Sequence, residues 1–177
     1  MIRKVVLGAH YDTVKRSPGA NDNASGVALV LGALLKLRAV ANRTRNVLFV
    51  LFDEEEIGLI GSREFATWLL DVGSSDGSDR GGSAAAAVTV HSVHTIDQMG
   101  WDSDGDRAFE LELPFKGCAE LYRAAASTVA AAEGRTVQIS IHETNVASTD
   151  HSSFRKKGFP AVVRKHSWTL LYSMTDL

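Results

Sequence analysis

Val47-Leu48-Phe49-Val50-Leu51-Phe52 runs without a polar residue into Asp53-Glu54-Glu55-Glu56, and then into Ile57-Gly58-Leu59-Ile60-Gly61-Ser62. An unbroken run of β-branched, aliphatic and aromatic residues predicts a strand buried on both faces, as in a parallel sheet. Four carboxylates at the end of such a strand repel one another and resist loss of water unless something cationic sits among them. An acidic turn left in solvent is the plainer alternative. The two readings differ in what else should gather at the same rim.

The upstream sequence repeats the pattern. Val5-Val6-Leu7-Gly8-Ala9 reads as a second buried strand, ending at His10-Tyr11-Asp12. Side chains two apart on an extended segment point the same way, so Asp12 could accept from one ring nitrogen of His10 while the other binds a metal. Ser17 to Gly26 is a turn-rich loop. A helix follows from about Ser25 to Val40, apolar on most faces, as for a helix packed on a sheet and covered by neighbours. Asp22 just precedes it, where a cap or helix-dipole partner is common.

Downstream, Ser62 to Leu70 predicts a short amphipathic helix. Gly73 to Ala87, rich in Gly, Ser, Asp and Ala, reads as a mobile surface loop. Val88 to Ile96 is a strand ending at Asp97; His91 and His94 within it face opposite sides and do not form a pair. Asp102 to Asp106 lacks the distant glutamate of a calcium loop and reads as a solvated turn. Ala108 to Leu113 and Thr136 to His142 alternate as strands. Cys118 to Glu133 is an Ala-rich helix closed by Gly134. A polar loop from Ser148 enters a short helix near Phe154, and Gly158 to Val163 is the last strand. The alternation predicts one α/β domain over 1–177, with three α/β/α layers around a mostly parallel sheet and its core at 5–163.

Composition narrows the partners. The chain has 177 residues, 45% hydrophobic and 23% charged, with a net charge of −2. That balance gives no support for nucleic acid or an anionic membrane. No apolar run is long enough to span a bilayer. The first seven residues lack the apolar region and cleavage site of a secretory leader, and localisation stays open. Cys118 is the only cysteine, so neither an intrachain disulfide nor a cysteine-based zinc site can form; a buried inert thiol is expected.

His10, Asp22, Glu55, Glu56 and Asp97 each follow a strand or precede a helix. In open α/β sheets the site lies beyond the carboxyl ends of the strands. An imidazole and several carboxylates without sulfur suit zinc, or less often manganese or cobalt, in a two-metal site with a bridging carboxylate.

Gly8 to Thr13, Pro18 to Gly26, Phe52 to Ser62, Ile96 to Gly100, Thr149 to Phe154 and Gly158 to Ala161 together resemble the M28 family of zinc aminopeptidases, in the family's order, from about Val5 to Val163. The resemblance implies a zinc-exopeptidase fold and two Zn2+ sites. His10 and Asp97 would bind one metal, Asp22 would bridge, Glu56 would bind the second, Glu55 would be the general base, and Asp12 would orient His10. It also implies a peptide substrate with a free N-terminus and a secreted or cell-envelope setting; it leaves the oligomeric state open. Asp150 and His151 correspond to supporting positions rather than ligands, and Asp53 and Glu54 receive no role. The tail, Leu171 to Leu177, resembles the family's closing Tyr-His-Thr-type motif with the histidine deleted, which makes 164–177 a degenerate tail. His166 is the nearest substitute ligand. The expectation is one tightly held ion and one weakly held ion. Relatives usually carry a helix and strands upstream, so the chain reads as a core fragment, a shortened product or a degenerate copy. Two alternatives stand beside the aminopeptidase: a non-catalytic binding module, and a zinc acyltransferase similar to glutaminyl cyclases, which the missing histidine disfavours.

Overall fold

The computed structural model describes residues 3–41, 45–74, 89–101, 108–112, 117–132, 140–144 and 148–166. The expected mobile loop, the acidic turn near Asp104 and the tail beyond His166 fall largely outside these residues. Six strands form one sheet: β1 (Arg3–His10), β2 (Asn46–Phe52), β3 (Thr89–Ile96), β4 (Ala108–Glu112), β5 (Ser140–Thr144) and β6 (Ala161–His166), in the order β2-β1-β3-β6-β4-β5. All neighbouring pairs are parallel except β4 with β6. The carboxyl ends of β1, β2, β3 and β6 therefore share one rim.

Four helices, α1 (Gly26–Arg38), α2 (Ile60–Ser74), α3 (Cys118–Ala132) and α4 (His151–Lys156), complete the layers. Alternation along β1 divides the core. Val6 packs with Phe52, Ala66, Leu69, Val93, Phe154 and Ala161, beneath α2 and α4. Leu7 and Ala9 point the other way and pack with Val30 and Ile96 beneath α1. Val162, next to Ala161 on β6, joins Leu111, Cys118 and Ala119 beneath α3. Sheet faces thus carry α1 and α3 on one side and α2 and α4 on the other, which is the expected three-layer arrangement. Cys118 is buried, as expected. Aromatic side chains fill the α2/α4 side: the Phe52 ring lies 6.0 Å from that of Phe65 and 5.8 Å from that of Phe154. Truncating a ring packed this fully costs about 3–5 kcal/mol.

Three expectations are corrected. Helix α2 is longer than the predicted 62–70, because Ile60-Gly61 and Asp71 to Ser74 continue its turns. The supposed tail does not begin at 164: Arg164, Lys165 and His166 pair in register with β3 or β4 as part of β6. Helix α1 is not covered all round. Leu31, Leu34 and Leu35 are 46%, 38% and 62% exposed, because only the Val27/Val30 side meets the sheet. A groove of about 450 Å³ runs between the end of α1 and the starts of β1 and β2, with Leu34, Leu37, Leu48 and Phe49 beside Lys4 and Arg38. Among the described residues no helix is long and apolar enough to cross a membrane.

Candidate metal centre

Strand β1 delivers His10 to the rim in register with Phe52, and the Tyr11 amide extends the pairing by donating to the Phe52 carbonyl at 2.9 Å. The imidazole is 1% exposed. Its Nδ1 lies 3.1 Å from the Asp12 backbone oxygen. A carbonyl can only accept, so Nδ1 carries a proton, and Nε2 faces the site, where it can bind a cation once its own proton is displaced. The shorter contact to the ring is thus made by the Asp12 main chain, with the carboxylate Oδ1 3.4 Å from the same nitrogen. β1 ends at His10, so strand alternation no longer governs Asp12. The Asp12 carboxylate is turned to the next loop: Oδ1 accepts the Glu55 amide and Oδ2 the Glu56 amide, each at 3.1 Å.

That loop, Asp53 to Gly61, is closed by its own backbone. Gly58 and Leu59 donate to the Glu55 carbonyl, Ile60 to Glu54 and Gly61 to Asp53, over 2.9–3.0 Å. Glu54, Gly58 and Leu59 take positive φ values of 57°, 121° and 58°. A Cβ on Gly61 would lie 2.5 Å from the Asp53 carbonyl oxygen, so only glycine lets the helix start this close. The result separates the four acids: Asp53 and Glu54 stay in solvent, while Glu55 and Glu56 are half-buried. Glu56 Oε1 accepts the Val14 amide at 3.2 Å.

Asp22 lies in a wide turn, Ala20–Ser25, that enters α1. The expected helix cap belongs to its neighbour. Asn23, 1% exposed, accepts the Gly26 amide at 3.0 Å and the Gln98 amide at 3.1 Å through Oδ1, and donates through Nδ2 to the Ile96 carbonyl at 2.9 Å. Ser25 Oγ accepts the Met99 amide at 2.8 Å, and Asn21 Oδ1 accepts the Gly100 amide at 2.8 Å. These bonds zip the Asp22 turn to the loop after β3 that carries Asp97. Gln98 Nε2 donates to Asp22 Oδ2 at 2.7 Å. Asn21, Asn23, Ser25 and Gln98 were not foreseen. Their only sequence signal is a run of short polar residues before a helix, which marks a turn but names no distant partner.

The convergence is close. His10 Nε2 lies 3.1 Å from Asp22 Oδ1 and 3.5 Å from Asp97 Oδ1. His10, Asp22 and Glu56 bring one ligand atom each within 4.8 Å of one another, and so do His10, Glu55 and Asp97. Burial opposes a charge on His10, yet contacts with Asp22 and Asp97, and the charge of Glu55, push it up to about 11. Burial raises Glu55 to about 8, with His10 opposing and Asp150 adding to the shift. Burial raises Glu56 as well, with Asp22 adding to the shift. Asp22 Oδ1 is shielded from solvent and has no hydrogen-bond partner among the described residues. An imidazole nitrogen and carboxylate oxygens around an unsatisfied buried oxygen fit a borderline divalent cation.

Two further groups lie outside the ligand set, the first of them close enough for its charge to act on Glu55. Asp150 is 2% exposed, and burial raises it to about 7; His151 beside it contacts Thr149 Oγ1 through Nδ1 at 3.2 Å. His94 lies away from the rim, between Tyr122 and Ser92 at 2.8 and 3.0 Å. The backbone of His166 ends β6 on the same rim as Asp97, but its side chain lies outside the described residues.

The chain resembles known proteins in sequence and in fold. Over 61 residues the chain is 46% identical to a probable lipoprotein aminopeptidase of Mycobacterium tuberculosis, covering 34% of this chain and 12% of that protein. Over 65 residues it is 42% identical to an aminopeptidase of Bacillus subtilis, covering 37% of this chain and 14% of that one. The crystal structure of a zinc aminopeptidase from Bacillus subtilis superposes with a TM-score of 0.70 at 24% identity, over 93% of this chain and 36% of that one. The matched region is thus a small part of each relative. The sequence pattern of peptidase family M28 matches residues 3–170, nearly the whole chain, and the chain belongs to that family.

Proposed function

We propose that the chain is a zinc-dependent hydrolase that removes N-terminal amino acids from peptides. The observation that carries this reading is the approach of His10 Nε2 to both Asp22 Oδ1 and Asp97 Oδ1 beside the Glu55/Glu56 turn. His10, Asp22 and Asp97 would hold the principal zinc, and Asp22 and Glu56 a second, weaker one. Zinc supplies a Lewis-acid charge that polarises the scissile carbonyl and acidifies water. Glu55 takes the proton from the attacking water and passes it to the departing amine. Burial raises its affinity for protons, the direction that suits a group that must take and return a proton. Asp12 fixes the His10 ring through its carbonyl and the Glu55 amide through its carboxylate. The half-buried Glu56 leaves a negative rim on which a substrate α-ammonium could settle, which would limit cleavage to the first residue.

The test is hydrolysis of amino-acid p-nitroanilides by zinc-loaded protein, EDTA-treated protein and Glu55→Gln. Chelation should abolish turnover. Glu55→Gln should lower kcat by about 100-fold or more at similar KM. Turnover unchanged by Glu55→Gln would remove the mechanism. Zinc binding without any turnover would favour a binding module.

A further inference from the structure

Gln98 is an uncharged side chain that touches a carboxylate of the centre, and several hydrogen bonds fix its position. Its backbone amide is held by Asn23, the next amide by Ser25 and the one after by Asn21. Its φ of 50° lies in the left-handed region, which a glutamine occupies only when its surroundings hold it there. The side chain is 8% exposed. The atom that meets Asp22 Oδ2 at 2.7 Å must be the amide nitrogen, because a carboxylate oxygen needs a donor. The other oxygen, Oδ1, faces His10 Nε2 at 3.1 Å and has no hydrogen-bond partner among the described residues.

A carboxylate that bridges two cations uses one oxygen for each. Here one oxygen is already engaged by a neutral donor fixed to the same loop as Asp97. We propose that Gln98 is a positioning residue that leaves Asp22 Oδ1 as the stronger ligand oxygen and draws on the electron density of Oδ2, so that the centre holds one zinc tightly and a second less tightly. This rests on the zinc reading above and adds to it a cause of unequal occupancy that lies in residues 22 and 98 themselves. A hydrogen bond to a charged group is strong enough to shift the second dissociation constant by about tenfold or more.

Zinc titration calorimetry on the unaltered protein, Gln98→Leu and Gln98→Asn tests it. Asparagine tolerates the left-handed backbone but is one methylene too short to reach Asp22, so it keeps the turn while removing the bond. The unaltered protein should take up one equivalent tightly. In both variants the first equivalent should bind within about threefold of the original and the second about tenfold more tightly. In side-chain amide NMR spectra the Gln98 NH2 signals should hold through the first equivalent and move with the second. Two tightly held equivalents in the unaltered protein, or a second equivalent unaffected in both variants, would overturn the proposal. Failure of every protein to bind zinc would instead sink the functional reading, and this proposal with it.

Discussion

The turn at Ala20–Ser25 and the turn at Asp53 to Gly61 bring carboxylates to the same rim by different means. The second is closed by backbone bonds among its own nine residues, with Asp12 and the Val14 amide as outside supports. The first is closed by side chains of Asn21, Asn23 and Ser25 reaching a loop 73–79 residues away. Glu55 and Glu56 therefore owe their geometry to local sequence. Asp22 and Asp97 meet only once β1, β3 and α1 have assembled. The centre is half local device and half product of the tertiary fold, and substitutions in the two turns should fail in different ways.

The largest effect is expected at Asn23. Asn23→Ala leaves the Gly26 and Gln98 amides and the Ile96 carbonyl buried without their partner. At about 1–3 kcal/mol per stranded group, stability should fall by about 4 kcal/mol. Zinc affinity should fall with it, because Asp22 and Asp97 lose their tie. Urea unfolding and zinc titration measure both. A loss below about 1 kcal/mol would mean that the two turns are not held differently.

Gly61→Ala comes next. Its Cβ would meet the Asp53 carbonyl oxygen at 2.5 Å and the Asp53 nitrogen at 2.8 Å, and neither is a flexible side chain that can move aside. Overpacking of this kind costs about 2 kcal/mol. Here damage should stay local: turnover falls as Glu55 and Glu56 shift, while zinc at His10, Asp22 and Asp97 is retained. Loss of both together would break the division between local and assembled halves.

Protons give a smaller, graded test. His10 is raised from 6.5 to about 11, so its contribution to stability is present below 6.5 and is lost as pH rises through about 11. Glu55 is raised from 4.5 to about 8, so its ionisation weakens the fold progressively as pH climbs from 4.5 through about 8. The EDTA-treated protein should therefore melt at lower temperature as pH rises from 5 to 9. Added zinc must displace these protons, so the rise in Tm it gives should grow over the same range. A zinc-induced rise that shrinks with pH would contradict the ligand set.

The same division explains what could be read from the chain. Val47 to Phe52 followed by acids, and Val5 to Ala9 followed by His10, announce buried parallel strands and their carboxyl ends without any knowledge of neighbours. The acid turn was legible as a place, since four carboxylates follow a buried strand, but the backbone bonds that close it were not foreseen. Asn23 and Gln98 were not, because their partners lie some 75 residues away and nothing in a local pattern pairs them. The outer face of α1 misled for a related reason. Leu31, Leu34 and Leu35 carry the apolarity of a covered helix, and composition does not say which face the sheet takes. Asp12 was assigned to the right ring, but its carbonyl, at 3.1 Å against 3.4 Å for the carboxylate, was not foreseen, since alternation was carried past the last residue of β1.

Asp12 is the residue at which the two halves join, and it should show the smallest but most telling effect. Its carbonyl accepts from His10 Nδ1, while its carboxylate accepts from Glu55 and Glu56. Asp12→Asn keeps the carbonyl and one acceptor oxygen, and loses the charge and the second acceptor. Stability should drop by about 1 kcal/mol. The carboxylate also lies 3.4 Å from His10 Nδ1, and with its charge gone zinc affinity should weaken by about tenfold. If the local turn needs both oxygens, kcat should fall more than zinc loss explains, even at saturating metal. If saturating zinc restores full turnover, the turn holds itself, and Asp12 serves His10 alone. That outcome would move Asp12 out of the local half and leave Asp53 to Gly61 self-supporting, sharpening the contrast with a turn at Asp22 that cannot form without the rest of the chain.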